Sequence, residues 1–459
     1  MFRRILIANR GEIAVRIIRT CIEMNIDTVA VYSTADKDSL HVKLATKAVC
    51  IGPAKASQSY LNMNSILTAA LDNHCDAIHP GFGFLSENSD FARLCEENNI
   101  KFIGPKADVI DAMGNKAMAK TMMRKGNVPV VPGSDGALKD YDEAKEIADR
   151  IGYPVLLKAS AGGGGRGMRR AYSEEELKKA YDEAKAEARA CFGNDEMYIE
   201  KLIVNPRHIE FQILADEMGN VVHLGERDCS IQRKNQKLIE ESPCMLLSDE
   251  LRNKMGAAAV NAAKASGYTN AGTVEFVLDG DNNFYFIEMN TRIQVEHGVT
   301  EMVTGIDLIK EQIRIAFHEP LGFEQGDIKL KGHAMECRIN AEDPAKGFMP
   351  NSGKITFLNL PGGPGVRVDT MLYNGYETSP FYDSMMAKII VHAPTRLEMI
   401  RKMRRALMEI STEGITTTSD FEYLILFHPD FIKGKYNVGF IEEHMDEILS
   451  WDAFGEGNE

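Results

Sequence analysis

Residues 5–103 alternate short apolar runs with helical patterns, and few folds accommodate that order. Residues 5–8, 28–32, 77–79 and 101–103 read as strands, with helical stretches at 12–24, near 65–73 and at 88–98. Strands separated by helices need crossover connections, hence a parallel sheet covered on both faces, a doubly wound α/β domain. The turn after the first strand, Asn9-Arg10-Gly11-Glu12-Ile13-Ala14, lacks the G-x-G-x-x-G that a dinucleotide pyrophosphate requires, which disfavours a nicotinamide dehydrogenase.

A different period governs the middle of the chain. Glu288-Met-Asn-Thr-Arg-Ile-Gln-Val-Glu296 places a functional polar side chain at every second position. On an extended strand Glu288, Asn290, Arg292, Gln294 and Glu296 share one face, while Met289, Ile293 and Val295 turn the other way. A solvated strand also alternates, but its polar face usually mixes Lys, Thr and Ser; this one joins two carboxylates to an Arg flanked by amides. Residues 273–278, the turn Asp279-Gly-Asp-Asn282 and residues 284–290 read as a hairpin. With the turn centred between Gly280 and Asp281, Glu275 faces Phe286 and Glu288 is the diagonal neighbour on the same face, about 7–8 Å away. Two carboxylates so placed suit one or two Mg²⁺ ions. An odd-length loop would send them to opposite faces.

A second anion-site candidate is the strand at 153–157, which carries Lys158 into Ala159-Ser-Ala-Gly-Gly-Gly-Gly-Arg-Gly167, with a helix at 174–189 after it. Consecutive glycines leave backbone N–H groups free to approach phosphate and let a loop move as a lid. A plain linker has the same glycines, but not a Lys ending the strand and an Arg inside the loop. Beyond Gly332, residues 333–340 read as a strand, several Gly/Pro-bounded strands follow, and helices at 396–409 and 441–449 close the third region.

At 459 residues the chain has room for about three domains with clefts between them. A net charge of −14 argues against nucleic acid, and no apolar run approaches the length of a membrane span. Eight scattered cysteines without a C-x-x-C pair suit reduced thiols in a cytoplasm and make structural zinc a poor fit.

Together these blocks resemble the biotin carboxylases of the ATP-grasp superfamily, from the first strand to about residue 445. The resemblance rests on Ile7-Ala-Asn-Arg-Gly-Glu-Ile-Ala14, His79-Pro-Gly-Phe-Gly-Phe-Leu-Ser-Glu-Asn88, the glycine loop, Glu226-Arg-Asp-Cys-Ser-Ile-Gln-Arg233, residues 286–297, residues 336–343 and Phe381-Tyr-Asp-Ser-Met385. It implies an N-terminal Rossmann-like domain (1–113), an ATP-grasp domain (114–332) with a lid at about 131–203, a mixed α+β C-terminal domain (333–446) and a tail (447–459). It also implies ATP bound by Lys116, Lys158, Gly164, Gly165, Glu200, Lys201, Ile203, His208, Asn235, Glu275 and Glu288. Glu275, Glu288 and Asn290 would hold Mg²⁺ or Mn²⁺; Lys237, Arg292, Gln294 and Val295 would hold bicarbonate. Glu296 would act as general base, with Lys237 and Arg292 among the catalytic groups, and Arg338 would stabilise the biotin enolate beside Phe82.

Four positions depart from the family pattern: Phe82 stands where Tyr is frequent, Asn235 where His is, Gly298 where Pro follows Glu-His, and Ala161 leaves the glycine loop one glycine short. Two other readings compete. A carboxylate–amine ligase of the same superfamily would share Lys116, Lys158, Glu275, Glu288 and Asn290; a silent nucleotide-binding regulatory subunit should have lost a metal ligand or the base. Biotin acceptors centre on Ala-Met-Lys-Met, which the nearest string, Met385-Met-Ala-Lys388, does not reproduce. The resemblance therefore implies a cytoplasmic homodimer that receives biotin in trans, on a carrier protein, and works with separate carboxyltransferase subunits.

Overall fold

The structure is a computed structural model that describes residues 1–159, 168–192 and 195–451. The predicted doubly wound domain is present. Its five parallel strands run Lys47–Gly52, Asp27–Ser33, Arg4–Ile7, Ala77–His79, Lys101–Phe102 across the sheet. Helices Gly11–Glu23, Met63–Asp72 and Ser89–Glu97 match the predicted stretches, while the edge strand Lys47–Gly52 was not anticipated. Only Ile51 in it is buried, so it lacks the apolar signature of its neighbours. The strand order reverses between Arg4–Ile7 and Ala77–His79, and a crevice opens at the carboxyl ends of strands flanking such a reversal. Asn9 ties the two loops together there, donating to the carbonyls of Pro80 and Phe82, both at 2.7 Å.

The central region is built on an eight-stranded sheet in the order Phe284–Asn290, Asn270–Leu278, Arg207–Ala215, Val221–Arg233, Gln236–Ser242, His333–Asn340, Met385–Ala393, Val366–Thr370. Strands on both sides of Gly332 thus belong to one sheet, joined through Ile239 opposite Cys337. A separate three-stranded sheet (Met168–Ala171, Val155–Ala159, Met197–Lys201) packs with helices Tyr141–Ile151 and Glu174–Phe192 around its own small core, which includes Ala144, Leu157 and Ile199. Gly164, Gly165 and Ala161 lie outside the described residues. Among the described residues no helix is long and apolar enough to cross a membrane.

The hairpin register differs from the one read from sequence. Glu275 pairs directly with Glu288, whereas Phe276 pairs with Phe286, so one strand carries an extra residue, Ile287. Five residues separate the strands, and that odd loop alone would have put Glu275 opposite Ile287. The bulge restores the shared face, re-aiming a side chain as bulges beside functional sites commonly do.

Residues 288–296 also depart from the extended path that their alternation predicts. The strand ends at Asn290, the chain bends at Thr291 and Arg292, and Val295 and Glu296 form a turn into the helix His297–Thr304. Glu296 has φ −80° and ψ 13°, far from extended. Strand alternation therefore cannot place all five polar side chains on one face. Tight packing follows the turn: a Cβ at Gly298 would lie 2.3 Å from Ile390 Cδ1, so the space behind Glu296 admits only glycine without a shift of that side chain.

Candidate active site

A cavity of about 1240 Å³ lies against the switch-point loops and the large sheet, bounded by Asn9–Glu12, Phe82–Phe84, Lys237, Glu275, Arg292 and Arg338 among others. Its floor is a buried charge network. The Lys237 ammonium donates to Glu210 (2.6 Å), Glu275 (3.1 Å) and Glu296 (2.6 Å), which uses its three protons. Burial disfavours that charge, yet Glu210, Glu275 and Glu296 outweigh it and lift the Lys237 pKa well above its usual value. Glu296 is fully buried and takes a second bond from Arg338 Nη2 at 2.8 Å, while Arg338 Nε donates to Glu240 at 2.7 Å. Burial alone would raise the Glu296 pKa; Lys237, Arg338 and Arg227 override it and hold the carboxyl well below the carboxylate range.

The polar residues of the 288–296 stretch do converge, by contacts that the bend creates. Asn290 Nδ2 donates to Glu275 Oε1 at 2.9 Å, and Gln294 Nε2 reaches the same oxygen at 3.4 Å. Arg292 donates to Asn290 Oδ1 (3.2 Å), Gln294 Oε1 (3.0 Å) and, from the N-terminal domain, Glu87 Oε2 (2.8 Å). His208 Nε2 stands 2.9 Å from Glu275 Oε2. The Val295 carbonyl accepts from Lys388 Nζ at 2.6 Å. Phe82 and Asn235 line the cavity, the latter in the left-handed turn of its hairpin with φ 66°.

The predicted nucleotide residues are less unified. Lys116 is exposed, 4.0 Å from Glu288. Lys158 donates to Glu200 at 2.5 Å, and Lys120, unremarked in the sequence, contacts the other oxygen of the same carboxylate. Lys201 turns instead to the carbonyls of Gly152 (3.0 Å) and Tyr153 (2.7 Å), and Ile203 is half-buried beyond the end of its strand. Burial and neighbouring ammonium groups push Lys158 down to about 8 and Lys120 to about 7.

Glu275 and Glu288 are cross-strand partners with Asn290 beside them, a hard oxygen set that fits Mg²⁺ or Mn²⁺. Burial and then the facing Glu275 raise the Glu288 pKa, a repulsion that a divalent cation relieves.

Sequence reasoning passed over Glu210 and Arg227. Arg227 is fully buried and donates to Glu210 (2.5 Å), Gln212 (2.8 Å), Thr300 (3.0 Å) and Thr273 (3.1 Å). The signal was present: His208, Glu210 and Gln212 alternate on the strand Arg207–Ala215, the pattern that was noticed only at 288–296. Arg227→Met strands the buried Glu210 carboxylate beside a single remaining cation. It should lower unfolding free energy by about 3–5 kcal/mol, to be checked by denaturant titration.

Three family descriptions match the chain in order: "Biotin carboxylase, N-terminal domain" over residues 1–110, "Carbamoyl-phosphate synthase L chain, ATP binding domain" over 115–323, and "Biotin carboxylase C-terminal domain" over 336–443. The chain is 56% identical to biotin carboxylase 1 of Bacillus subtilis (strain 168) over 445 residues, 97% of this chain and 99% of that one. The chain belongs to the biotin carboxylase family. Its fold matches the biotin carboxylase domain dimer of Hydrogenobacter thermophilus 2-oxoglutarate carboxylase with a TM-score of 0.91 at 53% identity, over 98% of this chain and 99% of that one. That relative was solved in complex with MgADP, ADP and bicarbonate. The fold also matches the biotin carboxylase subunit of pyruvate carboxylase, with a TM-score of 0.88 at 53% identity over 98% of this chain and 100% of that one. Membership in the biotin carboxylase family makes this chain an enzyme of ATP-dependent biotin carboxylation.

Proposed function

We propose that this chain carboxylates biotin carried on a separate protein, using ATP and bicarbonate, as the first half-reaction of a multi-subunit carboxylase. The observation that carries this reading is the ionised, buried Glu296 held between Lys237 and Arg338, two residues that line the cavity together with the Glu275–Glu288 pair. Glu296 takes the bicarbonate proton, while Lys237, Arg292, Gln294 and the Val295 backbone hold the anion; a guanidinium grips two oxygens of a planar anion at once. The freed oxygen attacks the γ-phosphorus of ATP, the bond to the β-phosphate breaks, and ADP and carboxyphosphate form. Lys116, Lys158, Glu200, Lys201, Ile203, His208 and Asn235, with Gly164 and Gly165, bind and orient the nucleotide, so catalysis here is positioning and charge neutralisation. Mg²⁺ or Mn²⁺, when bound by Glu275, Glu288 and Asn290, neutralises phosphate charge. Carboxyphosphate breaks its C–O bond to give CO₂ and phosphate beside biotin, and the phosphate takes the ureido proton. Arg338, which lines the same cavity as Phe82, stabilises the enolate, and the ureido nitrogen attacks the CO₂ carbon to form carboxybiotin.

We read the chain as three units at 1–113, 114–332 (lid about 131–203) and 333–446 with a tail to 459, forming a homodimer that works with carrier and carboxyltransferase subunits. The dimeric relative supports the assembly, and the seven cysteines whose side chains are described, all free thiols, suit a reducing cytoplasm. Relatives named for pyruvate and for 2-oxoglutarate share this chain's architecture, as expected if a separate transferase chooses the acceptor. The test is ADP formation by purified protein: it should require bicarbonate and rise with free biotin. Stimulation by an amine-bearing acceptor with a carboxylic acid would favour a ligase instead.

The two depressed lysines give a pH prediction. Their charged forms attract polyphosphate, and charge is lost as pH rises through about 7 for Lys120 and about 8 for Lys158. Affinity of the free enzyme for ATP should therefore be greatest below pH 7 and weaken through pH 9, measured by calorimetry. Lys120→Met should remove the lower part of that dependence.

A further inference from the structure

Lys388 ends the string Met385-Met-Ala-Lys388, whose wrong order for a biotin acceptor leaves it without an assigned task. Its side chain is wholly buried, and a buried ammonium persists only where acceptors surround it. Nζ donates to the Val295 carbonyl at 2.6 Å and lies 3.2 Å from Glu12 Oε1 and 3.9 Å from Asp369 Oδ2. Neither carboxylate oxygen of Glu12 has another hydrogen-bond partner among the described residues.

Strand register adds the decisive detail. Lys388 and Arg338 are direct cross-strand partners, so their side chains leave the sheet on one face. Arg338 grips the Glu296 carboxylate at 2.8 Å, and Lys388 grips the carbonyl of the residue before it. Two neighbouring cations thus hold consecutive residues at the turn where the chain leaves the strand path. Because the peptide is planar, fixing the Val295 carbonyl fixes the plane from which Glu296 departs. Glu12 opens the helix Gly11–Glu23, directly after the Asn9–Gly11 loop of the cavity wall, so the same ammonium ties that wall to the turn.

We infer that Lys388 is a positioning residue for the proton-accepting step: it holds the Val295–Glu296 turn in the orientation that presents the Glu296 carboxylate and the Val295 backbone to bicarbonate. The inference rests on the proposed function. Displacement of a reacting group by about 1 Å can cost on the order of 10²-fold, and among the described residues Lys388 supplies the side-chain bond to that carbonyl.

The experiment uses the full-length enzyme and three variants: Lys388→Met, Lys388→Arg, and the charge-compensated pair Lys388→Met with Glu12→Gln. The single Met variant leaves Glu12 unpaired and is expected to lose stability; the double variant neutralises both partners and should regain it. kcat/KM for bicarbonate is expected to stay at least tenfold down in the double variant, with the ATP KM within twofold of wild type and partial recovery in Lys388→Arg. A purely structural role predicts the opposite: full recovery of bicarbonate kinetics together with thermal stability in the double variant, which overturns the inference. So does an equal rise in the KM of both substrates. If wild-type protein itself shows no bicarbonate-dependent ADP formation, the functional reading fails; if wild type responds and the double variant matches it, only the role of Lys388 fails.

Discussion

Glu296→Gln should reduce bicarbonate-dependent ADP formation by roughly 10²-fold or more, the usual scale for a positioned base, while ATP affinity stays near wild type. The fold should tolerate the change, because each cation keeps other partners: Lys237 retains Glu210 and Glu275, and Arg338 retains Glu240. Glutamine keeps the side-chain shape but is neutral and presents an NH₂ donor in place of one carboxylate oxygen, so it cannot accept the proton and gives up its bond to either Lys237 or Arg338. Unchanged turnover, measured at saturating ATP across a bicarbonate series, would remove Glu296 from this role. The depressed pKa of Glu296 adds a pH signature. A carboxylate whose folded pKa lies below its unfolded value contributes stability that is present above the unfolded value, near 4.5, and lost as pH falls toward the folded one. Wild-type protein should thus lose stability below about pH 4.5 more steeply than Glu296→Gln, in paired urea titrations across that range.

Arg338→Ala should produce the largest separation between the two halves of the reaction. Biotin-dependent carboxylation is expected to fall by about 10²–10³-fold, the scale of removing one preorganised group aimed at developing negative charge. Bicarbonate-dependent ATP hydrolysis without biotin should fall less. It should not be untouched, since the substitution leaves Glu240 and Glu296 sharing a buried space without their common cation. Burial already lifts Glu240 to about 7 against the pull of Arg338, so removing that guanidinium raises it further, and Glu296 rises too because it loses one of the cations that hold it down. The acid limb of the residual ATP hydrolysis should therefore move to higher pH. Equal losses in both assays would place Arg338 with the ATP half or with the scaffold.

The doubly wound domain was legible because parallel strands buried on both faces leave continuous apolar runs, as at Ile5-Leu-Ile-Ala8. Its edge strand was not, because a strand with one buried residue carries no such run. In the site, residue identity was easier to read than geometry. Glu275, Glu288, Arg292, Gln294 and Glu296 do assemble, but through a bulge at Ile287 and a bend after Asn290 that strand period cannot encode. Both lie against partners distant in sequence: beside the bulge the Phe286 N–H donates to the Pro129 carbonyl at 2.7 Å, and at the bend Glu87 holds Arg292 and Thr291 while Lys388 holds Val295. Glu210 and Arg227 were missed for a different reason, since their importance lies in neutralising other charged groups.

The sheet that runs across Gly332 also sets an order of events during synthesis. Gln236–Ser242 leaves the ribosome about ninety residues before His333–Asn340, the strand that covers it. At roughly 5–20 residues per second, that strand waits on the order of 5–20 s with one row of backbone donors and acceptors open. Two of its side chains on the way out are the buried carboxylates Glu240 and Glu241, and charge along an unpaired edge discourages pairing with another nascent chain. The acids that later hold Arg338 and Arg396 would then first serve as protection for an unfinished sheet.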